Sequence, residues 1–160
     1  MSTAAAAKNS PMRLFLYICV CQLAGLAGGW ATQRHLRDWY PTLKKPWFNP
    51  PKWVFAPVWA TLYILMAVAG SKVGHDPHCF RLFALQLALN CLWSFCFFAW
   101  RNPALALADV VLLWITIANC VQAFGRIDPM AGWLMWPYWL WVSFATLLNF
   151  EIWRLNREPS

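Results

Sequence analysis

Three sets of side chains stand at spacings that put flat rings and amide groups on one face of a helix. Gln86, Asn90, Trp93 and Phe97 follow one another at four, three and four residues. Tyr138, Trp141, Ala145, Asn149 and Trp153 form a similar stripe, and Trp59, Tyr63 and Met66 a shorter one. Residues three and four apart share a helix face. Such faces suit binding rather than bond breaking: stacking surfaces with a few polar groups between them would hold a large, flat, mostly apolar ligand, such as a porphyrin, a sterol or a lipid chain. The same residues serve a plainer purpose equally well, because Asn and Gln lock helices together and aromatics fill cores. No catalytic set accompanies them: the sequence offers no nucleophile–base pair and no phosphate loop. His75 and His78, in Gly74-His75-Asp76-Pro77-His78, have no further ligand nearby and read as a solvated turn, so no metal is expected.

A second stretch has the composition of a lid. Lys44 to Trp59 packs four prolines, three tryptophans and three lysines into sixteen residues. Pro46, Pro50 and Pro51 cannot lie inside a regular helix. Lysines seek water or anions, and indoles seek a place that is half apolar and half wet. A membrane–water interface supplies both. Lys45, Pro46, Pro50 and Pro51 are therefore expected in an ordered loop at a bilayer surface that runs into a helix near Trp53. The lysines are placed to meet carboxylates at a ligand's edge.

The elements that must position these residues follow from composition. Of 160 residues, 61% are hydrophobic and only 12% charged, too few charges to cover a soluble domain of this length. Nearly uncharged runs predict five membrane-spanning helices over about 12–33, 53–73, 80–100, 103–125 and 130–154, each near the ~20 residues that cross a bilayer. They make one all-α domain over 12–157, behind a flexible tail at 1–11. Lys8 and Arg13 ahead of an apolar run, with Ala24-Gly25-Leu26-Ala27 beyond, imitate a signal peptide, but the run continues to Gln33 and retention is expected. The net charge of +7 sits in loops and reads as anchoring to anionic lipid, not as nucleic-acid binding. Arg34, Arg37, Lys44, Lys45, Lys52, Arg101, Arg154 and Arg157 share one side, against Lys8, Arg13, Lys72, Arg81 and Arg126 on the other. Eight basic residues against five put the first loop and the C-terminus in the cytoplasm. Short connections predict antiparallel neighbours in an up-down bundle. Gly25-x-x-x-Gly29 offers a close-approach face. The cysteines read as reduced, buried thiols. Asp109 is the one acid deep in a span, and an ion pair with Arg101 or Arg154 is expected of it.

These motifs together resemble the translocator protein/tryptophan-rich sensory protein family, also called the TspO/MBR or peripheral benzodiazepine receptor family. The resemblance rests on Trp39-Tyr40, Lys45-Pro46-x-x-x-Pro50-Pro51-x-Trp53, Pro57-x-x-Trp59-x-x-Leu62-Tyr63, Gln86-Leu87-Ala88-Leu89-Asn90-x-x-Trp93 and Pro137-Tyr138-x-x-Trp141-x-x-Phe144-Ala145-x-x-Leu148-Asn149. It implies a five-helix bundle whose first loop closes over a ligand pocket, often as a homodimer. It implies no required cofactor but a ligand: protoporphyrin IX or a haem-like tetrapyrrole, cholesterol in animal members, or a drug-like compound. The ligand-contacting positions it implies are Trp47, Trp59, Tyr63, Asn90, Trp93, Trp141, Ala145 and Asn149, beside Tyr138 from the stripe. Some bacterial members are proposed to degrade porphyrin in light, and Trp59 and Trp141 match the tryptophans implicated. The animal sterol motif departs here: Leu148-Asn149-Phe150-Glu151-Ile152-Trp153-Arg154 carries Phe150 where that motif has tyrosine. This shifts the expectation toward tetrapyrroles and a bacterial cell envelope, with a mitochondrial outer membrane the eukaryotic counterpart.

Overall fold

A computed structural model describes residues 10–157; positions 1–9 of the expected tail lie outside them. Pro11, placed above in that tail, is already the first residue of a helix. Five long helices follow in order: α1 (Pro11–Leu36), α2 (Lys52–Val73), α3 (Pro77–Ser94), α4 (Pro103–Ile127) and α5 (Pro129–Asn156). A 3-10 turn at Tyr40–Thr42 lies between α1 and α2, and α3 runs on into a π-helical turn at Phe95–Ala99. No strand occurs among the described residues.

The helix starts follow from local chemistry. Proline opens α1, α3, α4 and α5, where its missing N–H costs nothing. The residue before three of these prolines is a cap. Asp76 accepts from the backbone N–H of His78 at 3.0 Å and of Cys79 at 2.9 Å. Asn102 accepts from Leu105 at 3.0 Å, and Asp128 from Met130 at 2.9 Å and Ala131 at 3.3 Å. Each such cap contributes about 1 kcal/mol. The tight turn into α4 is made by Arg101, whose φ of 52° lies in the left-handed region.

Four helices, with α3 and its π turn taken together, are long and apolar enough to cross a membrane. The fifth is different. At 28 residues α5 is about 42 Å long, but Trp133, Trp136, Pro137, Tyr138, Trp139 and Trp141 dilute its hydropathy. Indole and phenol rings each carry a polar group on an apolar body.

The packing order is not the chain order. The main helix contacts are α4 with α5, α3 with α4, α1 with α2, α2 with α5 and α1 with α3, while α2 and α3 meet only slightly. Round the bundle the order is therefore α1, α2, α5, α4, α3. The short Gly74–Asp76 connection predicts that α2 and α3 are full neighbours; instead they splay from that turn and α1 lies between them. Of the Gly25-x-x-x-Gly29 pair, only Gly25 is used inside the chain: a Cβ there would stand 2.8 Å from the Tyr63 ring, whereas Gly29 has nothing within 4 Å. Two apolar clusters result. The larger runs along α1 to α5 and includes Met66, Phe83, Ile117, Phe124, Met135 and Tyr138. The smaller gathers Tyr40, Cys96, Phe97, Phe98, Ala106, Leu148 and Ile152 at the end of the bundle under the first loop.

Candidate ligand site

Where α2, α3, α4 and α5 converge, a small space is lined by Trp59, Asn90, Trp93, Val110, Leu113, Val142 and Ala145. The gap between atoms is about 240 Å³, of which only about 10 Å³ can hold the centre of a water molecule. A cavity of that size takes a single water at most.

Its polar groups form an ordered chain. The Tyr63 hydroxyl donates to Asn90 Oδ1 at 2.8 Å, and Asn90 Nδ2 donates to the Tyr138 hydroxyl at 2.9 Å. One amide on α3 thus ties α2 to α5. Trp93 Nε1 donates to Asn149 Oδ1 at 3.0 Å, and Asn149 Nδ2 donates to the carbonyl of Pro103 at 2.8 Å. This second link holds α3, α5 and the start of α4. Asn90, Tyr138 and Asn149 are all buried, so each bond avoids an orphaned polar group in an apolar interior. With Asn90 and Tyr138 bonded this way, the second amide hydrogen of Asn90 and the hydroxyl hydrogen of Tyr138 remain to be donated. Of the two, Asn90 lines the space, which therefore offers an amide donor and favours an acceptor atom on whatever enters.

Rings surround it. Trp59 packs against Tyr63 with centroids 5.7 Å apart and against Tyr138 at 6.3 Å. Trp93 stacks on Phe97 at 5.3 Å. A seam of edge contacts then climbs from the wall into the first loop: Trp141 to Phe144 at 5.5 Å, Phe144 to Phe48 at 6.2 Å, and Phe48 to Trp47 at 5.7 Å.

The first loop is fastened at two places. Asn156 of α5 accepts from the Lys44 N–H and donates to its carbonyl, both at 2.9 Å. Tyr40 donates to Asn49 Oδ1 at 2.9 Å. Lys45 donates to the Leu43 carbonyl at 3.0 Å and lies over the Tyr40 ring, 4.7 Å from its centroid. Desolvation, and then the charge of Lys52, lower the Lys45 pKa below its ordinary value. Pro51 ends the loop as the residue before α2.

Not every expected position reaches the space. Trp59, Asn90, Trp93 and Ala145 line it. Tyr63, Tyr138 and Asn149 stand behind them as hydrogen-bond partners. Trp141 is turned aside onto Phe55, at 6.0 Å, and Phe144, and its Nε1 has no hydrogen-bond partner. Trp47 is 95% exposed and points away from the bundle. Pro46 and Pro50 shape the loop without touching the space. The expected pairing of Asp109 is corrected: its carboxylate is buried with no hydrogen-bond partner, because Arg101 lies 3.1 Å from His35 and Arg154 is held by Glu151 at 2.7 Å. Glu151, three residues away on the same helix, lies within direct reach of Arg154 and is its partner. Gln86, on the Asn90 face, is fully buried with neither amide atom paired.

A model described as the TspO/MBR family matches residues 17–154. The chain belongs to the TspO/MBR family. It is 43% identical to the tryptophan-rich protein TspO of Chlorobaculum tepidum, over 91% of this chain and 96% of that protein. It is 43% identical to the tryptophan-rich sensory protein of Cereibacter sphaeroides, over 74% of this chain and 77% of that protein. The translocator protein of Bos taurus is 34% identical, over 84% of this chain and 85% of that protein. Bacterial and mammalian members thus share most of this chain's length.

The stripes missed Val110, Leu113 and Val142. On α4, Ala106, Val110, Leu113, Ile117, Cys120 and Phe124 are the buried face, at spacings of three and four. That signal was hidden, because a helix apolar all round has no polar face to contrast with it. Val142 follows Tyr138 by four residues and precedes Ala145 by three, which shows that Trp141 is one position off the inward row.

Proposed function

We propose that this TspO/MBR protein is a multi-pass membrane receptor or transporter-like sensor that takes a tetrapyrrole of the protoporphyrin type between α2, α3, α4 and α5. What carries the reading is the convergence of Trp59, Asn90 and Trp93 on one space whose unused hydrogens are donors. A tetrapyrrole presents flat π faces to indoles and edge carboxylates or ring nitrogens to donors. The space in its present form is far below the ~300 Å³ at which pockets for such ligands begin. Binding therefore includes an opening, and the loop over the smaller cluster is tied to the helices by Asn156 and by ring contacts. Lys45, whose ammonium is partly desolvated, gains most from a ligand carboxylate brought beside it. In this reading α5 spans the bilayer with the other four helices, and the first loop and C-terminus face the cytoplasm, supported by the eight-to-five excess of basic residues on that side.

The test is a titration of the purified protein with protoporphyrin IX, followed by tryptophan quenching and the Soret band. Saturable quenching is expected, weakened by Asn90→Ala and by Trp93→Phe, both at positions that line the space. An absence of saturable quenching in both detergent and lipid refutes the reading. A second reading, light-dependent porphyrin degradation, draws support from Trp59 standing at the space itself. Illumination separates the two: degradation requires a distinct product over several turnovers, and bleaching of one bound equivalent refutes it.

A further inference from the structure

We infer that a groove on the outer surface of α4 and α5, at the end of the bundle away from the first loop, is a binding site for one anionic phospholipid. The groove is lined by Val121, Gly125, Pro129, Gly132, Trp133 and Trp136, with about 180 Å³ of space. None of these residues lines the interior space between α2, α3, α4 and α5.

Two glycines make its floor for different reasons. A Cβ at Gly132 would stand 2.8 Å from Gly125 Cα and 3.1 Å from the Val121 carbonyl, so bare backbone is what lets α4 and α5 touch. At Gly125 a Cβ would meet nothing nearer than Gly132 Cα at 3.8 Å, which is ordinary contact. Packing inside the chain does not require a glycine there. Its missing side chain leaves a trough.

The walls are indoles. Trp133 is 71% exposed and Trp136 38% exposed, with ring centroids 6.4 Å apart. The track continues from Trp136 to Trp139 at 5.2 Å and from Trp139 to Trp114 at 5.1 Å. It runs along α5 from the end of α4 and returns at Trp114 to α4, which is long and apolar enough to cross a membrane. On that face a trough with flat apolar walls is matched by an acyl chain, and exposed tryptophans near a helix end stand where head groups begin.

Charge then selects the lipid. Arg126 follows Gly125 directly and is exposed. It forms no hydrogen bond or ion pair among the described residues, unlike Arg101, which lies against His35, or Arg154, held by Glu151. The acid nearest in the chain, Asp128, is already engaged by Lys72 at 3.2 Å and by the first backbone N–H groups of α5. Arg126, one residue past the lining Gly125 on the last turn of α4, is thus an uncompensated cation at this end of the trough, and a cation beside an apolar trough fits a phosphodiester above an acyl chain. One arginine at a membrane surface favours an anionic over a zwitterionic head group by about fivefold.

Native mass spectrometry of the full-length protein, titrated with dioleoyl phosphatidylglycerol and with dioleoyl phosphatidylcholine, tests this. The expected result is one tightly retained lipid, with phosphatidylglycerol preferred about fivefold. Arg126→Gln removes the preference and keeps a residual bound lipid. Gly125→Leu, which fills the trough, removes the tightly held lipid of both kinds. Trp133→Ala, at an exposed position, weakens retention of both and serves where Gly125→Leu lowers the helical content by circular dichroism. Protoporphyrin quenching is unchanged in Arg126→Gln and Trp133→Ala, which separates this groove from the interior space. Equal retention of the two lipids by the unmodified protein overturns the proposal, as does full retention in both Gly125→Leu and Trp133→Ala. A changed dimer fraction in Gly125→Leu with lipid retention intact assigns the groove to a second copy of the chain and also overturns it.

Discussion

Replacing Asn90 by leucine isolates the hydrogen-bond chain from the packing around it, because the two side chains are close in size. The change leaves the Tyr63 and Tyr138 hydroxyls without the partners they hold at 2.8 and 2.9 Å. Tyr138 is fully buried and Tyr63 is 8% exposed, so water does not replace the lost bonds. An unsatisfied buried partner costs about 1–3 kcal/mol in soluble proteins, whereas interhelical hydrogen bonds in membranes average about 0.6 and reach about 1.7 kcal/mol. Two bonds at the membrane scale put the loss at about 1–3 kcal/mol. Tyr63→Phe leaves Asn90 Oδ1 without its donor and Tyr138→Phe leaves an Asn90 N–H without its acceptor, and each costs about 1 kcal/mol. The informative variant combines all three. With every polar member gone, nothing buried is left unpaired, and the triple variant is expected to lose less stability than Asn90→Leu alone. The assay is denaturation by sodium dodecyl sulfate in dodecylmaltoside micelles, followed by circular dichroism. A triple variant whose loss equals or exceeds the sum of the three single losses refutes the argument, because it would show that the rings and the amide act independently.

Four further outcomes follow from named contacts. Gly25→Val drives a side chain into the Tyr63 ring, where a Cβ already stands at 2.8 Å, and is expected to cost about 1–3 kcal/mol in the same assay and to weaken protoporphyrin quenching. Asn156→Ala unties Lys44 from α5; stopped-flow quenching is expected to show faster entry and release, with a stability loss of about 1 kcal/mol or less. Asp109→Asn replaces a buried carboxyl group that has no partner, so stability is expected to be unchanged or raised, and a loss beyond about 1 kcal/mol would show that the carboxyl is paired after all. Acid acts at the capped end. Hydrogen bonds from the Cys79 and His78 N–H groups hold Asp76 below its ordinary 3.8; for Asp128, burial works upward but the bonds from Lys72 and the α5 N–H groups outweigh it. A depressed folded-state pKa gives stability that is present above about 3.8 and lost as pH falls through the lower folded value. Melting temperature is therefore expected to drop below pH 4, and the drop is expected to shrink in Asp76→Asn with Asp128→Asn.

How far the chain could be read before its structure varied with the kind of signal. The spans expected from about 80, 103 and 130 begin within three residues of Pro77, Pro103 and Pro129, where proline after Asp or Asn sets the helix start by local chemistry. Asn90 and Trp93 were legible because polar atoms in an apolar run stand out. The partner of each was not legible: nothing in spacing says that Asn90 takes both tyrosines or that Asn149 takes the indole of Trp93. Trp141 shows the limit of periodicity, since the seven residues from Tyr138 to Ala145 divide equally well as three and four or as four and three, and Val142 proved to be the inward position. Asp109 shows another limit. Depth and sign suggested an arginine, but arginines find nearer partners, and only the fold tells which is nearer. The neighbour order of the helices was hidden for a related reason: a short turn fixes the ends of α2 and α3 but not whether a third helix enters between them.

The two ends of the bundle are held by different means, and this decides where it opens. At the end with Asp76 and Asp128, α3 and α5 are capped by carboxylates, Lys72 of α2 is tied to Asp128, and α4 touches α5 through glycine backbone. Separating helices there breaks caps, an ion pair and close backbone packing together. At the other end the first loop rests on ring edges, Phe48 on Phe144 and Trp39 on Phe97 at 5.6 Å, and on bonds to two asparagines, Asn49 and Asn156, that carry no charge. Edge contacts of this kind are worth about 0.5–1.5 kcal/mol each, and the Asn156 pair is exposed to competing solvent. A guest that needs more room than the present space is therefore admitted at lower cost by lifting Lys44 to Pro51 and the ring seam beneath it than by parting α4 from α5. The same asymmetry explains the division of the proline-rich stretch at Pro51: upstream of it the chain is held by contacts that can be exchanged for a ligand's, and downstream Trp59 belongs to a wall fixed to the rest of the bundle by the buried Tyr63–Asn90 bond and by ring packing on Tyr63 and Tyr138. Pro50→Ala with Pro51→Ala is accordingly expected to weaken protoporphyrin binding with a smaller fall in melting temperature than Trp59→Ala, and equal effects of both changes on both properties would show that loop and wall move as one.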